Sequence, residues 1–275
     1  MKARAAIAFV ALLAAGLAAA QEKPATLPVT WVAPDEELRV LLAKHLPAPS
    51  AEVREDRGAM RRWQREVRRR APEIAAAEGW FSATVEIADE EGRLRVVLTP
   101  GERATVASVA IEFRGDLAGE GAFREARREA LRQSWQLAEG KVFRQHAWDE
   151  AKARLAEALT ADDYAAGEIA ASEARIEAAS ARAHLAIVVA SGPPFTLGEV
   201  QVSGLSRYRR QLVDRMLDID PGEPYRSDRL LDLQRRLQST PWFANVTVEI
   251  DRDAATPTRV PVRVAVLERP AIDVG

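Results

Sequence analysis

Apolar and polar positions change period several times between residues 196 and 266, and each change predicts an element. Residues 196–204 alternate and close on Gly204, which predicts a half-buried strand and its stop. A helix is predicted from Ser206, with Leu212, Val213, Met216 and Leu217 on one face. Asp220-Pro221-Gly222 breaks it, and Ser227 is the expected N-cap of a second helix carrying Leu230, Leu233, Leu237 and Leu231 on its stripe. Pro241 stops that helix. Alternation then resumes over 243–250, with Val246, Val248 and Ile250 on one face and Asn245, Thr247 and Glu249 on the other. A polar turn at 251–258 leads to a last strand marked by Val260, Val262, Val264 and Val266. The order is β-α-α-β-β.

The same order is predicted upstream. Residues 106–115 alternate with Val109, Ile111 and Phe113 on one face, helices follow at 122–135 and 146–159, and strands at 169–178 and 184–189 close the unit. Within it Ser172-Glu173-Ala174-Arg175 is alanine-rich and by composition alone resembles helix. A first unit is expected from a strand at 27–32, helices at 35–46 and 56–78, and strands at 80–87 and 94–98. The long helix carries Met60, Trp63, Val67 and Ile74 on its inner stripe. Gly140-Lys141-Val142-Phe143-Arg144 and Gly222-Glu223-Pro224-Tyr225-Arg226 stand at one register, offset by 82 residues, and Leu155 and Leu237 keep that offset. A repeat of this length is a whole small domain, which favours an array of binding modules over a single active site.

Composition narrows the setting. Lys2 and Arg4 precede an apolar run from Ala5 to Ala20 that ends in Ala18-Ala19-Ala20, a secretory signal peptide too short to span a bilayer. There is no cysteine, which excludes disulfides, thiol chemistry and a lipid-bearing cysteine. The formal net charge is −2, so nothing drives the chain toward nucleic acid. The expected division is signal peptide 1–20, units 24–101, 102–193 and 194–270, and a further strand beginning at 271–275. The connectors 99–102 and 191–194 are short, and Pro193-Pro194 predicts limited hinge freedom at the second junction.

Three β-α-α-β-β units resemble POTRA domains, the periplasmic modules of the Omp85 outer-membrane family. The residues that carry the resemblance are the glycines closing the first strands (Gly115, Gly204), a G-x-x-[FY] phrase between the helices, and an aromatic opening the second strand. The resemblance is greatest to the TamA branch, which has three such units behind a signal peptide. It implies an α+β fold of three small domains, each a three-stranded mixed sheet with two helices on one face. It also implies a non-catalytic scaffold for assembling outer-membrane proteins or autotransporters, on the periplasmic face of the outer membrane. Unfolded client proteins are one implied partner and a TamB-like inner-membrane-anchored protein the other, with no cofactor and no nucleic acid. The family continues into a membrane β-barrel, whereas the sequence ends at Gly275, where a first barrel strand would begin. A stand-alone periplasmic scaffold or chaperone without a barrel is the alternative. KH-type RNA-binding arrays share the β-α-α-β order, but they need a G-x-x-G clamp where this chain has Phe143 and Tyr225.

The resemblance places the second strand at a sheet edge, where unpaired backbone groups accept an extended client segment. The candidate binding residues are Phe243, Asn245, Thr247 and Glu249, with Phe81, Thr84 and Glu86 as counterparts in the first unit. Proline at Asn245 or Thr247 is expected to disrupt pairing. Arg68, Arg69 and Arg70 belong to a basic run on the long helix and are candidates for docking acidic partners or anionic headgroups. His45, His146 and His184 are scattered, and the acidic pairs fall in turns, so neither a metal site nor acid/base catalysis is expected.

Overall fold

The computed structural model describes residues 29–90, 92–250 and 259–270; the signal peptide at 1–20, the turn at 251–258 and the strand start at 271–275 lie outside the described residues. The first unit runs β1 (Val29–Val32), α1 (Glu36–His45), α2 (Ala51–Glu55), α3 (Arg57–Ala77), β2 (Thr84–Glu90) and β3 (Arg93–Thr99). The second runs β4 (Thr105–Arg114), α4 (Ala122–Ser134), α5 (Gln145–Ala161), β5 (Glu168–Glu177) and β6 (Arg182–Ala190). The third runs β7 (Thr196–Ser203), α6 (Gln211–Asp214), α7 (Ser227–Gln238), β8 (Phe243–Ile250) and β9 (Arg259–Glu268).

Each unit builds one mixed sheet with its last strand in the middle: β1-β3-β2, β4-β6-β5 and β7-β9-β8. The last two strands of each unit form an antiparallel hairpin. The helical crossover returns the first strand parallel to the third. The fold is α+β, a tandem array of three such domains. The alanine-rich stretch at 172–175 is strand, because Ser172 to Arg175 pair with β6 and, after a bulge between Ile169 and Ala171, half-buried Ala174 and Ile176 alternate with exposed Glu173, Arg175 and Glu177. Among the described residues no helix is long and apolar enough to cross a membrane.

Three hydrophobic cores follow the three units, but they interlock. Phe81 of the first unit packs against the second core, and Ala165 of the second lies within the third. This explains one departure from the periodicity: β2 begins at Thr84 rather than at residue 80, because the chain turns at 81–82 and gives Phe81 to the second core while Trp80 stays packed on the first.

The third unit departs further. In place of a helix from Ser206 there is only the single turn α6. The amides of Ser206, Arg207 and Tyr208 donate at 2.9–3.0 Å to the Glu268 carboxylate, and the Ser206 hydroxyl donates at 2.9 Å. Charge-assisted bonds of this kind outcompete the first turn of a weakly patterned helix. Ser227 is the first residue of α7 rather than its cap; Arg226 caps it in extended conformation, and no side chain bonds the exposed amides from that position. Leu231 is 48% exposed and lies outside the stripe that buries Leu230, Leu233 and Leu237.

These amide bonds hold the Glu268 carboxyl down at about 2, below its ordinary 4.5, with the Tyr208 amide contributing most. The sign follows by linkage: a depressed carboxylate stabilises the fold fully above its unfolded value, and the contribution is lost as pH falls through the folded value. Thermal melts are therefore expected to show a loss of third-unit stability between pH 4.5 and about 2. Glu268→Gln is expected to be less stable at pH 7 and flatter across that window; an unchanged profile would rule out this clamp.

Candidate binding site

The repeated phrase has a structural job. In the second unit Gly140 N–H donates to the Val106 carbonyl, the Val106 amide to Lys141 and the Phe143 amide to Ala104, at 2.8, 2.8 and 2.9 Å. In the third, Gly222 donates to Leu197, Leu197 to Glu223 and Tyr225 to Phe195, at 2.7, 2.8 and 3.0 Å. The phrase thus lies antiparallel along the outer side of the first strand, with bridges Thr105 to Val142 and Thr196 to Pro224. Its aromatic turns inward, leaving Phe143 2% and Tyr225 0% exposed. An edge that would otherwise offer unpaired groups is covered.

The same segment clasps the preceding unit. Ala104 donates to the Gly79 carbonyl and Phe195 to the Asp163 carbonyl, at 2.8 and 2.6 Å, so the residue accepting from the phrase aromatic also reaches back across the junction. Asp163 N–H returns a bond to Tyr225 at 2.8 Å. Gly79 and Asp163 both have positive φ, 97° and 59°. In the third unit Pro241 stands before Trp242 as Gly79 stands before Trp80, and its ring fixes φ negative, so this turn is not repeated there. Arg144 reaches Glu37 at 3.2 Å and Glu78 at 3.5 Å, and Arg226 reaches Asp162 at 3.7 Å. The exposed pairs, Arg144 with Glu37 and Arg226 with Asp162, contribute at most about 1 kcal/mol each. Apolar burial carries more: Phe81 meets Phe143 with ring centroids 5.8 Å apart. Arg103 lies over Trp80 at 5.0 Å and donates to the Glu78 carbonyl.

Among the described residues, the opposite edge of each sheet, β2, β5 or β8, has no strand beyond it. On β8 the direction of the backbone groups can be worked out. Arg269 N–H bonds the Trp242 carbonyl, a bulge follows between Phe243 and Asn245, and Val248 N–H donates to the Gln234 side chain of α7 at 3.2 Å. In an antiparallel pair bonded and unbonded positions alternate. Asn245, Thr247 and Glu249 therefore bond to β9, while the amides of Val246, Val248 and Ile250 point away. Proline at Asn245 or Thr247 would break the sheet itself, so the probe of the edge moves to Val246.

Comparison with known proteins places these features. Residues 195–269 match the family model POTRA, described as surface antigen variable number repeat. The third unit is a POTRA domain. The other two units share its strand order and, in the second, its edge-covering phrase. Among solved structures the chain is similar to POTRA3-5 of Haemophilus influenzae BamA at 16% identity and TM-score 0.48, covering 92% of this chain and 100% of that one. It is similar to POTRA1-3 of Anabaena Omp85 at 15% identity and TM-score 0.35, over 90% and 98% of the two chains. For CdiB of Acinetobacter baumannii the values are 11%, 0.32, 62% and 31%. No curated protein matches the sequence.

Within the three units the candidate residues separate. Asn245, Thr247 and Glu249 are exposed on β8, and Thr84 and Glu86 are exposed on β2. The Phe243 side chain is 0% exposed in the core and Phe81 is taken by the junction, so neither ring is available to a partner. Arg69 pairs with Glu66 and Glu73, and Arg70 with Glu66, which leaves Arg68 alone of those three without an ion pair. Ser108 Oγ lies 2.8 Å from His184 Nδ1, but Nε2 stands 3.7 Å from Glu177, beyond hydrogen bonding, so no carboxylate orients the ring. No cluster of three metal-ligating side chains occurs among the described residues. Gln234, Gly79 and the phrase arginines escaped the periodicity; only the arginines left a signal, as the shared fifth residue of the two phrases.

Proposed function

We propose that the chain is the non-catalytic periplasmic scaffold of an outer-membrane assembly or transport protein, taking unfolded outer-membrane or autotransporter clients by strand addition. The observation that supports this most is the asymmetry of the edges: the phrase lies along β4 and β7, while among the described residues no strand pairs with the outer side of β5 or β8. Backbone pairing tolerates many sequences, which suits a module that handles many clients. Export, residence at the outer membrane through a barrel on a longer parent, and docking of a TamB-like inner-membrane-anchored partner on the first unit belong to the same reading. The POTRA match of the third unit supports it.

Val246→Pro removes an outward amide while keeping an apolar side chain of similar volume, and Gln234→Ala uncovers the Val248 amide. One or two lost backbone bonds, each about 0.5–1.5 kcal/mol, correspond to roughly tenfold weaker binding of an extended peptide with alternating apolar residues. Val246→Pro is expected to show that loss by fluorescence anisotropy, and Gln234→Ala the opposite change. Equal affinity of both folded variants and the parent would exclude the β8 edge.

A further inference from the structure

On α3 the arginines divide into two populations. Arg62 reaches Asp56 at 3.7 Å, and Arg69 and Arg70 are tied to Glu66 and Glu73. Arg57, Arg61, Arg65 and Arg68 are exposed and form no ion pair or hydrogen bond among the described residues. At 3.6 residues per turn these four fall within an arc of about 80° and extend over roughly 16 Å of one flank. Of the four, only Arg61 has an attraction within the helix, a minor one to the N-cap carboxylate of Asp56. Like charges at i, i+4 are mutually destabilising, and Arg57 occupies the first turn, where the helix dipole disfavours a cation. The row is also out of keeping with a chain whose net charge is −2.

We propose that this row of four guanidiniums binds an acidic segment of a partner protein held in extended form, with carboxylates at alternate positions. The proposal rests on the reading of the first unit as a partner-docking module, and it names the partner's chemistry. Spacing favours an extended ligand. Successive arginines rise about 6, 6 and 4.5 Å along the helix axis. Alternate residues of a strand advance about 6.6 Å, a mismatch that a flexible arginine takes up. Width favours a linear ligand over a membrane. The row is one side chain across, with Glu66 and Glu73 farther round the same helix. Exposed Glu52 and Glu55 of α2 stand immediately before it, and a planar anionic surface would meet those carboxylates as well.

The test uses the chain from residue 21 onward, a labelled peptide of about eight residues with glutamate at alternate positions, and phosphatidylglycerol vesicles. The peptide is expected to bind the parent with affinity that falls as salt rises. Binding should weaken at least tenfold in the Arg57→Gln, Arg61→Gln, Arg65→Gln, Arg68→Gln variant. It should survive in an Arg69→Gln, Arg70→Gln variant, which removes equally basic but paired residues. Circular dichroism confirms that each variant is folded. Undiminished binding by the quadruple variant overturns the proposal, as does vesicle binding without peptide binding. Val246→Pro should leave the acidic peptide bound, so failure of strand addition at β8 and failure of this site are read separately.

Discussion

Replacing Tyr225 by alanine is expected to destabilise the third unit severely while leaving the second at its native stability. The ring is 0% exposed within the third core, and its backbone amide and carbonyl bond Phe195 and Asp163 on the two sides of the junction. Truncating a buried aromatic costs about 3–5 kcal/mol. A unit of this size has roughly 4–11 kcal/mol in total at 0.05–0.15 kcal/mol per residue, so the loss removes much of its margin. Hydrogen exchange resolved along the chain checks this. Amides of β7, β8 and β9 should lose protection by orders of magnitude while those of β4, β5 and β6 keep theirs. Native protection throughout would mean that the phrase aromatic is not the anchor of its domain.

Gly79→Ala is expected to part the first unit from the second without unfolding either. A Cβ at Gly79 would stand 2.4 Å from the Phe143 carbonyl oxygen, and φ there is +97°. The left-handed backbone costs a residue with a side chain about 1–2 kcal/mol, and overpacking against rigid backbone about 1–3 kcal/mol more. Gly140→Ala separates the two effects, since φ is +80° but nothing lies within 4 Å of its Cβ. Both variants should melt earlier than the parent. Only Gly79→Ala should lengthen the particle in small-angle scattering and expose Phe81 and Phe143. Identical scattering from the two would show that this close approach does not hold the junction.

The two variants also mark how much of the site was legible. Phe143 and Tyr225 stood out as core anchors because a phrase recurring at fixed offset, with an aromatic where a nucleic-acid clamp has glycine, is local information. Gly79 did not, since its demand for a bare Cα comes from a carbonyl belonging to another domain. The helix expected from Ser206 failed for a related reason. Its spacing of Leu212, Val213, Met216 and Leu217 is real, and Val213 is buried, but the preceding amides are claimed by Glu268, 60–62 positions away. The basic run on α3 was visible as composition. Which of its members are paired depended on where Glu66, Glu73 and Asp56 point, and that shifted interest from Arg69 and Arg70 to Arg57, Arg61, Arg65 and Arg68.

By itself the sequence determined three units of strand, helical crossover and two strands, their glycine and proline breaks, and the apolar stripe of the strands and long helices, because these follow from periods of two and 3.6 residues within a few turns of chain. The tertiary structure alone decided which edge is covered, which amides of β8 face outward, and how the units interlock. Those outcomes rest on contacts such as Arg144 with Glu37, 107 positions apart, and on backbone hydrogen bonds that any residue can make. A bond donated by the main chain leaves no trace in the identity of the residue that donates it.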